Sequence, residues 1–241
     1  MERSISAVES EKSKFITKTY AWMALALFIS AVSAFFTAGS ILTSEGLSPF
    51  GRFLFGGHAI GFWIFAIADL ALVWYLSSRI RKLSLQTVIF GFIVYSILNG
   101  ITLSSIFIIY RIDSLALAFA SASAMFLVMA LYGAVTKKNL ATVGKYLMMA
   151  LVGVIIVSIL EFVMARFFAL NTRMLDFLIS AATIIIFTGL TAYDSQKIMK
   201  VAANSNGNED YQKVSLMAAL DLYLDFINLF LAILRIFGKR R

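Results

Sequence analysis

Long runs of apolar residues, each about the length of a membrane-spanning helix, recur seven times along the chain. A helix needs about 20 apolar residues to cross the hydrocarbon core of a bilayer. The runs are continuous and do not alternate, which favours helices over the strands of a barrel. We therefore predict an all-α polytopic membrane protein with a single transmembrane domain over residues 1–241. A cytoplasmic N-terminal segment (1–19) precedes predicted helices at 20–44, 53–78, 85–109, 114–136, 146–168, 176–199 and 216–237.

The composition supports this class and excludes several others. Hydrophobic residues make up 61% of the chain and charged residues 14%, whereas a soluble domain has about 45–50% and about 25%. The absence of cysteine and the presence of one histidine exclude a disulfide framework, a thiol nucleophile and a metal site built from these residues. We find no motif for nucleotide binding or hydrolysis. We therefore expect a protein that is not an enzyme and has no cofactor.

The positions of the basic residues predict the orientation. Most of the 21 lysine and arginine residues lie in the N-terminal segment and in the second, fourth and sixth connections. Cytoplasmic loops carry such an excess, so the N-terminus is expected in the cytoplasm. The same distribution explains the net charge of +8 without nucleic acid as a partner. Seven full crossings would place the basic C-terminus outside, so the last segment either crosses fully, which we favour, or re-enters.

Two aspartates interrupt the last two apolar runs. Asp225 lies in LYLDFINLF, ten residues beyond Ser215 and hence about 15 Å along a helix. Asp194 lies near the expected cytoplasmic end of the sixth run, in GLTAYDSQK. An ionisable residue within a membrane span is costly and marks a candidate functional site. Two neighbouring carboxyl groups share a proton and respond to pH, and their oxygens suit calcium.

Other polar residues near these runs are candidates for accessory roles. Asn228 and Asp221 fall on the same face of the last helix as Asp225, because residues three and four apart are neighbours on a helix. Tyr193 is a candidate hydrogen-bond donor or an interfacial anchor. Asp69 lies two-thirds along the second run and is a candidate partner for a basic group.

Four ordered segments resemble the Bax inhibitor-1 family, also called the TMBIM or Lifeguard family, in its bacterial branch. They are NGITLSSIFIIY (99–110), ALYGAVTKKNL (130–140), GLTAYDSQKI (189–198) and AALDLYLDFINLFLAILRIFG (218–238). The resemblance implies seven helices with the last one central. It also implies a pH-sensitive calcium leak across the bacterial inner (plasma) membrane, controlled by an acidic pair that matches Asp194 and Asp225. In relatives that have one, a basic residue near the end of the second helix latches the closed state, and Arg79 and Arg81 are the candidates here.

The leading hypothesis is therefore a calcium channel gated by this pair, with the lipid bilayer, calcium ions and protons as partners. One alternative is a non-conducting regulator that binds another membrane protein, such as a membrane protease. A remote alternative is an intramembrane aspartyl protease, which also needs two aspartates. The setting of Asp225 and the position of the only proline, Pro49, both depart from that pattern.

Overall fold

The computed structural model describes residues 2–43, 46–57, 59–80, 82–168, 170–204 and 208–241. Seven of its helices are long and apolar enough to cross a membrane, which confirms the predicted all-α class. The elements, in order, are α1 (Glu2–Ile41), β1 (Leu42–Thr43), β2 (Gly46–Leu47), α2 (Pro49–Phe55), α3 (Ile60–Arg79), α4 (Leu85–Ile109), α5 (Ile112–Val135), α6 (Ala141–Phe167), α7 (Arg173–Ala202) and α8 (Glu209–Phe237).

The predicted helix over 53–78 is two helices. The short helix α2 ends at Phe55, and α3 begins at Ile60. Between them, Gly57 and Ala59 have φ angles of 55° and 51°, the left-handed region that breaks a right-handed helix. Only glycine adopts this region without cost, so the glycine pair GG in an otherwise apolar run was the local signal for the break.

The first and last helices extend beyond their predicted starts. The predicted N-terminal segment (1–19) is continuous with the first span, since α1 is helical from Glu2 to Ile41. Helix α8 begins seven residues before the predicted start, at Glu209. In its most apolar stretch 61% of residues are buried, against at most 33% in the other six candidate spans. This burial agrees with a central position for the last helix.

The chain forms two compact units. The first contains Met1–Arg111, Ala202–Tyr223 and Arg240–Arg241. Its core includes the contact of α1 with α4, where Ser30 Oγ donates to the Ser96 carbonyl at 2.7 Å and Ser33 Oγ donates to the Ile97 carbonyl at 2.9 Å. Small residues allow this close approach of two apolar helices.

The second unit contains Ile112–Val201 and Leu224–Lys239. The C-terminal half of α8 packs here against α5, where the ring of Phe226 lies edge-on to Phe119 and Phe126 at centroid distances of 5.3 and 5.7 Å. Both aspartates of the predicted pair lie in this unit, on α7 and α8.

Candidate functional site

Asp225 is a buried acid in the most buried helix. The residue is 4% exposed and lies among apolar side chains of α8, next to the fully packed Phe226. Burial of a carboxylate away from water is costly unless it is hydrogen-bonded, paired or protonated. The burial of Asp225 agrees with its place within an apolar span, and its role as a functional acid stays a prediction.

Asp194 lies nearer to solvent on α7. Its side chain is 15% exposed, and Oδ1 lies 3.9 Å from Lys197 Nζ, whose side chain is 52% exposed. An ion pair of this length with an exposed lysine contributes little stabilisation.

Close helix contacts fix the position of Asp194. A Cβ atom on Gly133 of α5 would overlap the Ala192 carbonyl, and one on Gly144 of α6 would lie 2.5 Å from the Tyr193 ring. Glycines at both positions let α5 and α6 approach the segment of α7 that carries Asp194. The backbone before Asp194 is thus held on two sides.

Gln196 is a buried residue of this region that the sequence analysis missed. Its Oε1 accepts from the Leu140 N–H at 2.9 Å and from Lys200 Nζ at 3.1 Å, and its Nε2 donates to the Lys138 carbonyl at 2.8 Å. One side chain thus ties α7 to the connection between α5 and α6. Its place in YDSQK, two residues after Asp194, was the available signal.

The predicted accessory residues on α7 and α8 have separate environments. Asn228 donates through Nδ2 to the Leu224 carbonyl at 2.8 Å, so its amide nitrogen is bound to its own helix. The half-buried ring of Tyr193 faces Gly144. Asp221 is half-buried and lies on the part of α8 that belongs to the first unit.

Asp69 is deeply buried on α3, in the first unit. It is 6% exposed, and its Oδ2 accepts from Thr102 Oγ1 at 3.0 Å. Its other oxygen, Oδ1, is buried and has no hydrogen-bond partner within the described ranges. The partner of Asp69 Oδ2 is thus a hydroxyl group, whereas the sequence suggested a basic group as a candidate partner.

A second buried polar cluster in the first unit was also missed. Tyr223, which is 0% exposed, shares a hydrogen bond of 2.7 Å with Ser30 Oγ and donates one of 3.0 Å to Asn99 Oδ1. These bonds link α8 to α1 and α4. They join the family-like segments 99–110 and 218–238, just as Gln196 joins 130–140 to 189–198.

Of the two candidate latch residues, the structure describes Arg79 but not Arg81. Arg79 ends α3 with an exposed side chain, and its carbonyl accepts from the N–H groups of Lys82 and Leu83 at 2.8 and 3.2 Å. Arg81 lies outside the described residues. The latch therefore stays a prediction.

Among the described residues, no three histidine, cysteine, aspartate or glutamate side chains cluster to hold a metal ion. Calcium prefers six to eight oxygen ligands.

Comparison with known proteins identifies the family. The family model described as inhibitor of apoptosis-promoting Bax1 matches residues 12–241. Inner membrane protein YbhL of Escherichia coli strain K12 is 40% identical over 229 residues, covering 94% of this chain and 92% of the relative. An uncharacterised protein of Borreliella burgdorferi is 38% identical over 231 residues, covering 95% and 94%. Together with seven membrane-length helices, these matches show that the chain is an integral membrane protein of the Bax inhibitor-1 family.

Proposed function

We propose that the protein is a pH-sensitive calcium leak channel in the bacterial inner (plasma) membrane, gated by a proton-sharing pair of Asp194 and Asp225. The observation that carries the proposal is the burial of Asp225, at 4% exposed, in the same compact unit as Asp194. The relative from Escherichia coli is named an inner membrane protein, which supports this location. The N-terminus lies in the cytoplasm in this proposal, as the basic residues predict.

Gating by the pair follows from the electrostatics of two neighbouring acids. Two buried carboxyl groups in contact do not both ionise cheaply, so they hold one proton between them and titrate as a coupled pair. With the proton bound, a short hydrogen bond joins α7 to α8. Loss of the proton replaces that bond with repulsion or with a bound cation, and the contact between the helices loosens.

Calcium is the ion that this chemistry favours. It is a hard cation that prefers carboxylate and carbonyl oxygen, and deprotonation supplies negative charge for it within the span. The same carboxyl groups thus serve as gate and as transient ion site. No resident cofactor is required, and a basic latch from Arg79 or Arg81 would hold the closed state.

Liposome flux measurements test the proposal. Purified protein is reconstituted with a calcium-sensitive dye inside, and influx is recorded from pH 5 to pH 8 for the wild type and for Asp194→Asn together with Asp225→Asn. Asparagine keeps the shape but does not titrate, so we expect the double variant to lose the pH dependence. Asp210→Asn is the matched control, because Asp210 is also on α8 but is 81% exposed. An unchanged flux and pH response in the double variant would reject the mechanism.

The flux assay also distinguishes a channel from a non-conducting regulator, and a cleavage assay tests for a protease. A non-conducting regulator would give no calcium flux in pure liposomes at any pH and would co-purify with another membrane protein. Cleavage of a transmembrane reporter that is lost in the aspartate variants would instead support a protease.

A further inference from the structure

A cavity of about 170 Å³ lies between the N-terminal parts of α1 and α8, within the first unit. Its walls carry two lysines, a glutamate, two aromatic rings and two uncharged polar groups. They are Glu11, Lys14, Phe15, Lys18, Tyr211, Gln212 and Ser215. None of these residues belongs to the candidate site around Asp194 and Asp225.

The cavity lies where both helices pass from polar to apolar sequence. On α1 the last charged residue is Lys18, and an uncharged run follows from Tyr20. On α8 the charged first turns end at Lys213, and the long apolar stretch starts at Leu216. In a helix that crosses a bilayer, this change of composition marks the level of the lipid headgroups. The cavity therefore opens at headgroup level.

The walls of the cavity are held by contacts between the two helices. Thr19 Oγ1 and Ser215 Oγ share a buried hydrogen bond of 2.9 Å. One turn further toward the N-termini, the rings of Phe15 and Tyr211 meet edge to face at a centroid distance of 6.4 Å. The cavity thus needs little ordering when a ligand binds, which favours affinity.

The charges in the walls have both signs. Lys14 Nζ donates to Glu11 Oε1 at 2.8 Å, with side chains 61% and 32% exposed. Lys18 lies one turn from Lys14 on the same face of α1 and makes no salt bridge to any residue in the described ranges. A cation next to a carboxylate complements a ligand that carries a phosphate and an ammonium group.

We propose that this cavity binds the headgroup of a zwitterionic phospholipid, with its phosphate at Lys18 and its ammonium at Glu11. Phosphatidylethanolamine has this chemistry, and its acyl chains would extend along the apolar surface that begins at Tyr20 and Leu216. Free phosphoethanolamine shares the headgroup chemistry but lacks the chains.

Native mass spectrometry of the full-length protein in detergent tests the site. The protein is titrated in separate arms with phosphatidylethanolamine, phosphatidylglycerol and soluble phosphoethanolamine. Lys18→Gln is expected to weaken phosphatidylethanolamine binding about tenfold, the effect of one lost charge-assisted hydrogen bond. Lys12→Gln is the matched control, since Lys12 is on the same helix but does not line the cavity, and it should leave binding unchanged.

The Glu11 variant and the other two ligands test whether the bound molecule is zwitterionic and whether it is a lipid. Glu11→Gln should weaken binding of phosphatidylethanolamine more than that of phosphatidylglycerol, because only the former carries an ammonium group. Equal losses in the Lys12 and Lys18 variants would show non-specific charge attraction and overturn the proposal. Equal affinity for soluble phosphoethanolamine would overturn the assignment to a lipid, and a preference for phosphatidylglycerol would overturn the zwitterionic one.

Discussion

Removing the side chain of Gln196 should detach α7 from the connection between α5 and α6. In Gln196→Leu the buried N–H of Leu140 loses its acceptor, and an unsatisfied buried donor costs roughly 1–3 kcal/mol. The other two partners are the Lys138 carbonyl and Lys200 Nζ, and both of these residues are exposed, so we expect water to replace them at little cost. The expected loss of unfolding free energy is thus about 2 kcal/mol.

Thermal unfolding in detergent measures this loss. For a chain of this size, about 2 kcal/mol corresponds to a decrease in Tm of roughly 4–8 °C. Lys200→Ala is the control, because it removes the exposed contacts of Lys200 with Gln196 and Asn139 but keeps the bond from Leu140; it should change the stability by less than about 0.5 kcal/mol. Equal decreases in both variants, or no decrease in Gln196→Leu, would refute the assignment of the stabilisation to the bond with Leu140.

Three further substitutions, two in the second unit and one in the first, test helix packing by the same melting assay. Gly133→Ala places a methyl group against the Ala192 carbonyl and should destabilise by about 1–3 kcal/mol, whereas Gly153→Ala has open space and should stabilise by up to about 1 kcal/mol; a gain at both positions would contradict the close contact of α5 with α7. Tyr223→Phe removes the hydroxyl shared with Ser30 and should cost about 1 kcal/mol; an unchanged Tm would show that this cluster contributes no stability.

The sequence predicts the helices well because one physical requirement dominates them. A segment in hydrocarbon must satisfy its own backbone hydrogen bonds, so apolar length alone locates a span. The fourth helix, Leu85–Ile109, has the predicted bounds. The starts of α1 and α8 were less predictable, because both helices extend beyond the apolar run into polar sequence, where hydropathy no longer locates a helix boundary.

The polar contacts were not predictable in the same way. That Gln196 binds Leu140, or that Tyr223 binds Ser30, depends on which helices are neighbours and on their rotation. Apolar runs that are hydrophobic on all sides carry little information about rotation. The buried acids Asp69 and Asp225, in contrast, could be identified from the sequence because their type alone is unusual in a span.

Experimental structures at two pH values test the central claim most directly, by measuring the separation of the carboxyl oxygens of Asp194 and Asp225. A proton shared between them predicts a separation of about 2.5–2.7 Å at low pH and a clearly longer one at high pH, where both groups are charged. Side chains that are far apart and separately solvated at both pH values would contradict gating by the pair.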